Sequence, residues 1–496
     1  MTAPTTLVDF DGATVSAPNG PLIADASGDL FGVGGGGATS PAGVIYELQN
    51  SGTAGSPSYT GSATVVASFG ASDGSDPNGD LLADSAGDLY GVTSAGGANG
   101  DGAIYELKNS GTLTAPSYAS TTTLLWSFDG TTGTTPLGGL ISDANGDLFG
   151  VTSAGGANGD GVIFELQNVG TASAPSFASS PTVLFSFDGT SGSGPQGPLF
   201  ADATGDLIGE TSSGGANGDG VLFELQNTGT ASAPTYGSTP SVLFSFDGTN
   251  GSSPEGGLVA DANENLFGVT SSGGANGDGV LFEIQNTGTA AAPSYASTPS
   301  VLVGFDGTDG STPQGGLAID AAGDLFGTTS AGGANGQGVV FELQNGGTTA
   351  APSYASTPTV SSSFDGANGS TPQAALYANG AGDLYGVTSA GGTSSAGTLF
   401  EVQTSPATAS GQLFVALFSF IEAFQNGANG WFAALEEFAL VEAASTANQG
   451  SGFVYSTPSE QAAADAISTL NLGAVSARTT TLSPFASGGA LFSGHT

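Results

Sequence analysis

Cysteine is absent from this chain, and basic side chains nearly so. Without cysteine there is neither a disulfide framework nor a thiolate metal site. Lysine and arginine occur once each, as Lys108 and Arg478, against 43 aspartates and glutamates, giving a formal charge of −41. Phosphate recognition needs cationic side chains to displace counterions, so nucleic acid is excluded as a partner. Anionic membrane surfaces are repelled for the same reason. With so few cations, salt bridges contribute little, and apolar burial and the backbone ladder must carry stability. The single histidine, His495, is second from the end, which removes Ser-His-Asp triads and histidine-ligated metals. No apolar run reaches the roughly 18 residues of a membrane span. Residues 1–8 lack the basic and apolar regions of a signal peptide, so none is expected there.

What the chain has is glycine, 85 residues of it, and a repeat. Gly-Asp-Leu recurs with its aspartate at Asp29, Asp88, Asp147, Asp206, Asp324 and Asp383, and Asn265 fills the missing place, always 59 residues apart. Glu47, Glu106, Glu165, Glu224, Glu283, Glu342 and Glu401 form a second series with that period. Phe10, Phe69, Phe128, Phe187, Phe246, Phe305 and Phe364, from the "SFDG" runs, form a third. Each unit reads as four short strands. In the unit beginning at Val183 they are 183–187, 197–201, 206–211 and 221–226, separated by Asp-Gly and Gly-rich turns. Four strands per unit, repeated, predict the blades of a β-propeller. The N-terminal copy of the outer strand, Leu7–Phe10, stands where the seventh unit lacks one, after Leu399–Val402. The sequence therefore predicts an all-β, seven-bladed propeller closed by its N-terminal strand, which leaves no open sheet edge. An open solenoid is the alternative, and it leaves the permuted ends unexplained.

The runs "GDLFGVTSAGGANGDGVIFELQN" and "VLFSFDG" resemble the Gloeobacter–Verrucomicrobia tandem repeat over about residues 5–403. The resemblance implies an exported or surface protein of the choice-of-anchor class and carries no biochemical activity with it.

Composition changes after residue 405, which divides the chain into a propeller, 1–405, and a C-terminal segment, 406–496. Leu413, Leu417, Phe420, Ile421 and Phe424, then Trp431, Leu435, Phe438 and Val441, fall at helical spacing. They predict a helical hairpin over 410–445, with a third helix over 459–470 and a loose tail. Three roles fit: a cap, an uncleaved C-terminal export signal of the kind found in acidic, cysteine-free, glycine-rich proteins exported by ABC-type (type I) machinery, or an assembly device. Phe414, Phe418 and Trp431 are the candidate assembly residues for oligomers or fibres, since one thin hairpin leaves apolar rings to cover.

Candidate chemistry rests on carboxylates and rings. The "GGANGDG" loops offer Asp101, Asp160, Asp219 and Asp278 as oxygen ligands for calcium, against a turn-capping role. Ala42, Gln337 and Ala396 replace the aspartate in the other three repeats. Tyr59, Tyr118, Phe177, Tyr236, Tyr295 and Tyr354, one in each of six units, offer a circle of stacking platforms for sugars, against packing on the blades. The Glu47 series is either solvated or accepts hydrogen bonds from the neighbouring blade. Catalytic residues should break the repeat. Glu210 does, standing where the other units have Val33, Val92, Val151, Val269, Thr328 and Val387. Asp9, Asp76 and Asp80 are further departures. The reading is a non-catalytic extracellular or cell-surface module, structural or adhesive, with no cofactor beyond candidate calcium and a polysaccharide or surface protein as ligand. The alternative is a carboxylate-dependent carbohydrate-active enzyme with its site near Glu210.

Overall fold

In a computed structural model the chain forms seven antiparallel sheets, one per repeat, and no helix among the described residues. Residues 3–403 are described, apart from 55, 232, 321, 380 and 381. They belong to the first of two compact units, Met1–Trp431; the second is Phe432–Thr496. The expected hairpin over 410–445, its Phe414, Phe418 and Trp431, and the helix over 459–470 lie outside the described residues.

Blade 4 shows the plan. Its strands, from the axis outward, are Ser193–Pro195 with Phe200–Ala201, then Leu207–Ser213, Val221–Leu225 and Ser241–Ser245. Of the expected inner strand over 197–201 only Phe200–Ala201 forms, and a separate piece, Ser193–Pro195, precedes it. The stretch that joins them runs along the axis, where Pro195 and Pro198 donate no hydrogen bond. Hairpins form where predicted: Asp202 Oδ1 accepts from the amides of Thr204 (2.9 Å) and Asp206 (3.0 Å), and Gly205 takes φ +81°.

Two devices pack the blades. "DLFG" glycines sit under the aromatic ring of the next strand; a Cβ on Gly150 would lie 2.7 Å from Phe164. That ring in turn meets the "SFDG" phenylalanine of the preceding blade edge-on, as Phe128 does Phe164, with centroids 5.2 Å apart. The pair recurs around the ring from Phe69–Tyr105 to Phe364–Phe400, and Phe10–Tyr46 completes it. Seven apolar clusters result, one per seam.

The N-terminal strand closes the ring as the sequence predicts. Thr5–Asp9 pairs antiparallel with Thr398–Val402, with Thr5 opposite Glu401 and Val8 opposite Leu399. Asp9 stands where five other blades have serine and blade 5 has Gly304, and it does the serine's work: it accepts from the Thr393 amide (3.1 Å), as Ser186 Oγ does from Ala157 (2.8 Å). Every outer strand carries a bulge at the same place, Leu7 in this one and Leu184 in blade 3. A bulge adds twist and turns an edge away from neighbours.

A backbone stitch also joins each blade to the next. Asp76, Thr135, Gly194, Ser253, Thr312, Thr371 and Ala17 all have φ between 42° and 65°. Each donates its amide to the previous blade, as Thr135 does to the Asp101 carbonyl (2.9 Å) and Ala17 to that of Ala396 (2.8 Å).

Candidate functional site

At the axis, backbones of neighbouring blades touch. A Cβ on Gly256 would lie 2.8 Å from the Gly315 carbonyl, and the same close approach holds from Gly20 round to Ala374. The preceding residue in each blade is Asn19, Asn78, Leu137, Gln196, Glu255, Gln314 or Gln373. Three of these form a directed chain. Ser389 Oγ donates to Gln373 Oε1 (3.1 Å), Gln373 Nε2 to Gln314 Oε1 (3.0 Å), and Gln314 Nε2 to Glu255 Oε2 (3.1 Å). Amide dipoles aligned in this way end on the one carboxylate of the series.

Glu210 lies beside it. Its side chain enters the seam of blades 4 and 5, where a Cβ on Gly268 would meet its Oε1 at 3.0 Å. It is 3% exposed, and neither carboxylate oxygen has a hydrogen-bond partner. Burial pushes its pKa up to about 8; the nearby Gly257 amide, outside good hydrogen-bond geometry, opposes this in part, and the Glu255 charge adds a smaller push. It therefore keeps its proton at neutral pH. At the same place in blade 6, Thr328 Oγ1 donates to the axial Ala374 carbonyl (3.1 Å). Asp80, another departure from the repeat, packs against Gly139 of the next blade, and burial pushes it up to about 6. A protonated carboxyl beside a carboxylate is the pairing of acid–base hydrolysis. Glu210, however, turns its oxygens into the seam and away from solvent.

The "GGANGDG" loops are held by their neighbours. Asn158 Nδ2 donates to the Phe187 carbonyl (2.8 Å), with counterparts in the other loops. Asp101, Asp160, Asp219 and Asp278 are half-buried, each in its own blade, with an oxygen 3.7–4.0 Å from where a Cβ would stand on the turn glycine Gly130, Gly189, Gly248 or Gly307. Asp160 also accepts from Ser193 Oγ (2.7 Å). The main chain at these positions makes the interblade stitch, which any side chain permits. Ala42, Gln337 and Ala396 can therefore stand in the other blades.

Of the six rings, Tyr59, Tyr118, Phe177, Tyr236 and Tyr354 each lie edge-on to an aromatic of the preceding blade, for example Tyr236 on Phe149 at 5.4 Å. Tyr295 packs into the cluster that holds Ile208 of blade 4. Tyr59, Tyr118 and Tyr354 also donate their hydroxyls to the carbonyls of Gly28, Gly87 and Gly323. In the glutamate series, Glu106 and Glu401 accept from Tyr90 (3.4 Å) and Tyr385 (3.3 Å) of their own blades, not of the neighbours.

The model of the Gloeobacter/Verrucomicrobia repeat matches three times, over residues 1–174, 114–296 and 237–430. The chain belongs to this repeat family. No curated protein matches it. Solved structures similar to this Gloeobacter/Verrucomicrobia repeat protein include the PQQ-bound aldose sugar dehydrogenase of Streptomyces coelicolor, at 16% identity and a TM-score of 0.39, covering 69% of this chain and 96% of that one. Regucalcin from Agrobacterium tumefaciens, a calcium-binding protein, is similar at 13% identity and a TM-score of 0.36, covering 66% and 89%.

Sequence reasoning singled out Glu210 and missed its partner. The signal was present: Glu255 is the lone acid in a column of amides and one leucine. The left-handed stitch left no signal, because its residues share a backbone angle and no side-chain type.

The buried acids make a prediction for this repeat protein. Glu210 is pushed up to about 8, Glu264 to about 7, and Asp80 and Asp320 to about 6, each chiefly by burial. The folded state thus holds protons that the unfolded chain releases above about pH 4–4.5. Stability must fall as pH rises from there to about 8. Calorimetry should give a higher unfolding midpoint at pH 5 than at pH 8; a midpoint that rises over that interval would contradict the assignment.

Proposed function

We propose that this propeller works outside the cell as a non-catalytic structural or binding module, exported through its C-terminal segment, with a polysaccharide or surface protein as ligand. The observation that carries the reading is that the repeated polar side chains are spent on holding blades together. Asp29, Asp88, Asp147, Asp206 and Asp324 each accept from a backbone amide of their own blade at 2.6 Å. The acid that most clearly breaks the repeat, Glu210, is buried in a seam. A fold so constructed supplies shape and equivalent surfaces more readily than one asymmetric active site. Surface charge adds to this: at −41, with two basic residues, the chain stays soluble and attracts cations.

The test has two arms. Fractionation of the native cells should place the protein in the medium or on the surface, and recovery from the cytoplasm would overturn the reading. Purified protein should retain polysaccharides on an affinity gel without cleaving them. Turnover that disappears in Glu210→Gln and in Glu255→Gln would instead establish the carboxylate enzyme.

A further inference from the structure

The hairpin end of each blade carries acids from three series, Asp25, Asp29 and Glu47 in blade 1 and their counterparts onward. Three blades relieve the repulsion visibly. In blade 2 Lys108 Nζ lies 3.8 Å from Asp88 and 3.6 Å from Glu106. In blade 5 Asn265 replaces an aspartate and donates to Asp261 (2.9 Å). In blade 7 Asn379 replaces another and donates to Asp383 (3.0 Å).

In blade 4 only hydroxyls intervene, Thr204 Oγ1 bridging Asp202 Oδ1 (2.8 Å) and Asp206 Oδ2 (3.1 Å) and Ser241 Oγ donating to Glu224 (3.2 Å). Asp202, Asp206 and Glu224 each present a carboxylate oxygen within 4.8 Å of the others. Calcium–oxygen bonds run to roughly 2.6 Å, so a small inward shift of the three side chains lets one ion touch them all. A fourth acid arrives from blade 5. Glu264 occupies a place that every other blade gives to glycine, Gly28, Gly87, Gly146, Gly205, Gly323 and Gly382, and it does so at φ +62°. It feels the charge of Asp202, and its own charge is felt by Tyr295.

The hydrogen bonding at this seam is unfinished. Asp202 is 7% exposed; its Oδ1 caps the hairpin, while its Oδ2 is buried without a partner. Glu264 Oε2 is likewise buried and unpartnered, as is the Tyr295 hydroxyl. Ionising buried carboxyls is costly unless they are paired or coordinated to a metal. Among the described residues no lysine or arginine, the usual partners, reaches these acids. We propose that Asp202, Asp206 and Glu224, joined by Glu264 from the next blade, bind one calcium ion at the seam of blades 4 and 5. The ion ties the two blades together, and water fills its remaining coordination positions. This inference is independent of the extracellular reading, and the site is separate from the "GGANGDG" loops.

Calorimetric titration of the full chain with calcium alone, after chelator treatment, tests it. One site per chain is expected. Asp202→Asn should abolish it, and Glu264→Gly, which restores the residue of the other blades and so keeps the fold, should weaken it about tenfold or more. Asp219→Asn, in the "GGANGDG" loop of the same blade, should leave it unchanged. Circular dichroism of each variant without calcium reports whether the fold persists. No calcium uptake at millimolar concentration overturns the proposal. So does an affinity unchanged by Glu264→Gly, or one lost in Asp219→Asn.

Discussion

Glu210→Val is expected to stabilise the propeller, and by more as the pH rises. Valine is what five other blades carry at this place: Val33, Val92, Val151, Val269 and Val387. It needs no hydrogen bond, whereas both oxygens of Glu210 are buried without one. Raising a carboxyl from 4.5 to about 8 makes the folded state lose stability across that interval, at about 1.4 kcal/mol per pH unit. The sign follows from proton binding: between those values the unfolded chain has released the proton and the folded one has not. The gap between variant and parent should therefore widen from pH 4.5 to pH 8, on the order of 4 kcal/mol in all, then level off. Guanidinium unfolding at pH 5 and pH 8.5 measures it. Glu210→Gln should remove the pH dependence but keep the penalty of an unpaired buried amide, so its gain is smaller. A valine variant less stable than the parent, or a gap that does not change with pH, would show that Glu210 is partnered and charged in the fold.

Phe10→Ala should be among the most destabilising single changes in the chain. The ring is 3% exposed and stands edge-on to Tyr46 at 5.2 Å, joining the closing strand in blade 7 to blade 1. Truncating such a phenylalanine costs about 3–5 kcal/mol. Phe128→Ala, the same ring between blades 2 and 3, should cost a similar amount. Deleting residues 1–11 goes further, because Thr398–Val402 then loses its partner strand and presents an unpaired edge. The deletion variant should elute as larger species than the parent or be insoluble, while Phe10→Ala elutes with the parent in size-exclusion chromatography. A deletion variant that elutes with the parent and has an unchanged midpoint would mean that the N-terminal strand does not hold the ring closed.

The residues that made the fold legible are those whose role is local and repeated. Asp202 and Gly205 specify a tight hairpin wherever they occur, and Phe187 marks the outer strand whatever lies beside it. Glu210 was legible as a departure, since one acid in a column of valines needs no structure to be noticed. Its neighbour Glu255 was equally a departure, the lone acid among amides and one leucine, but only the fold shows that the two columns meet.

The sequence by itself determined seven four-stranded units and their closure, because period, turn chemistry and strand length act over a few residues and the ends of the array were visibly permuted. Tertiary structure alone decided what meets across a seam. It broke the inner strand so that Gly256 could approach Gly315, set Tyr236 edge-on to Phe149, and aimed Gln373 and Gln314 toward Glu255. It also brought Glu264 of blade 5 to Asp202 of blade 4. Those contacts join residues about 60 to 90 positions apart through the geometry of a closed ring, and no local pattern encodes the distance between two blades.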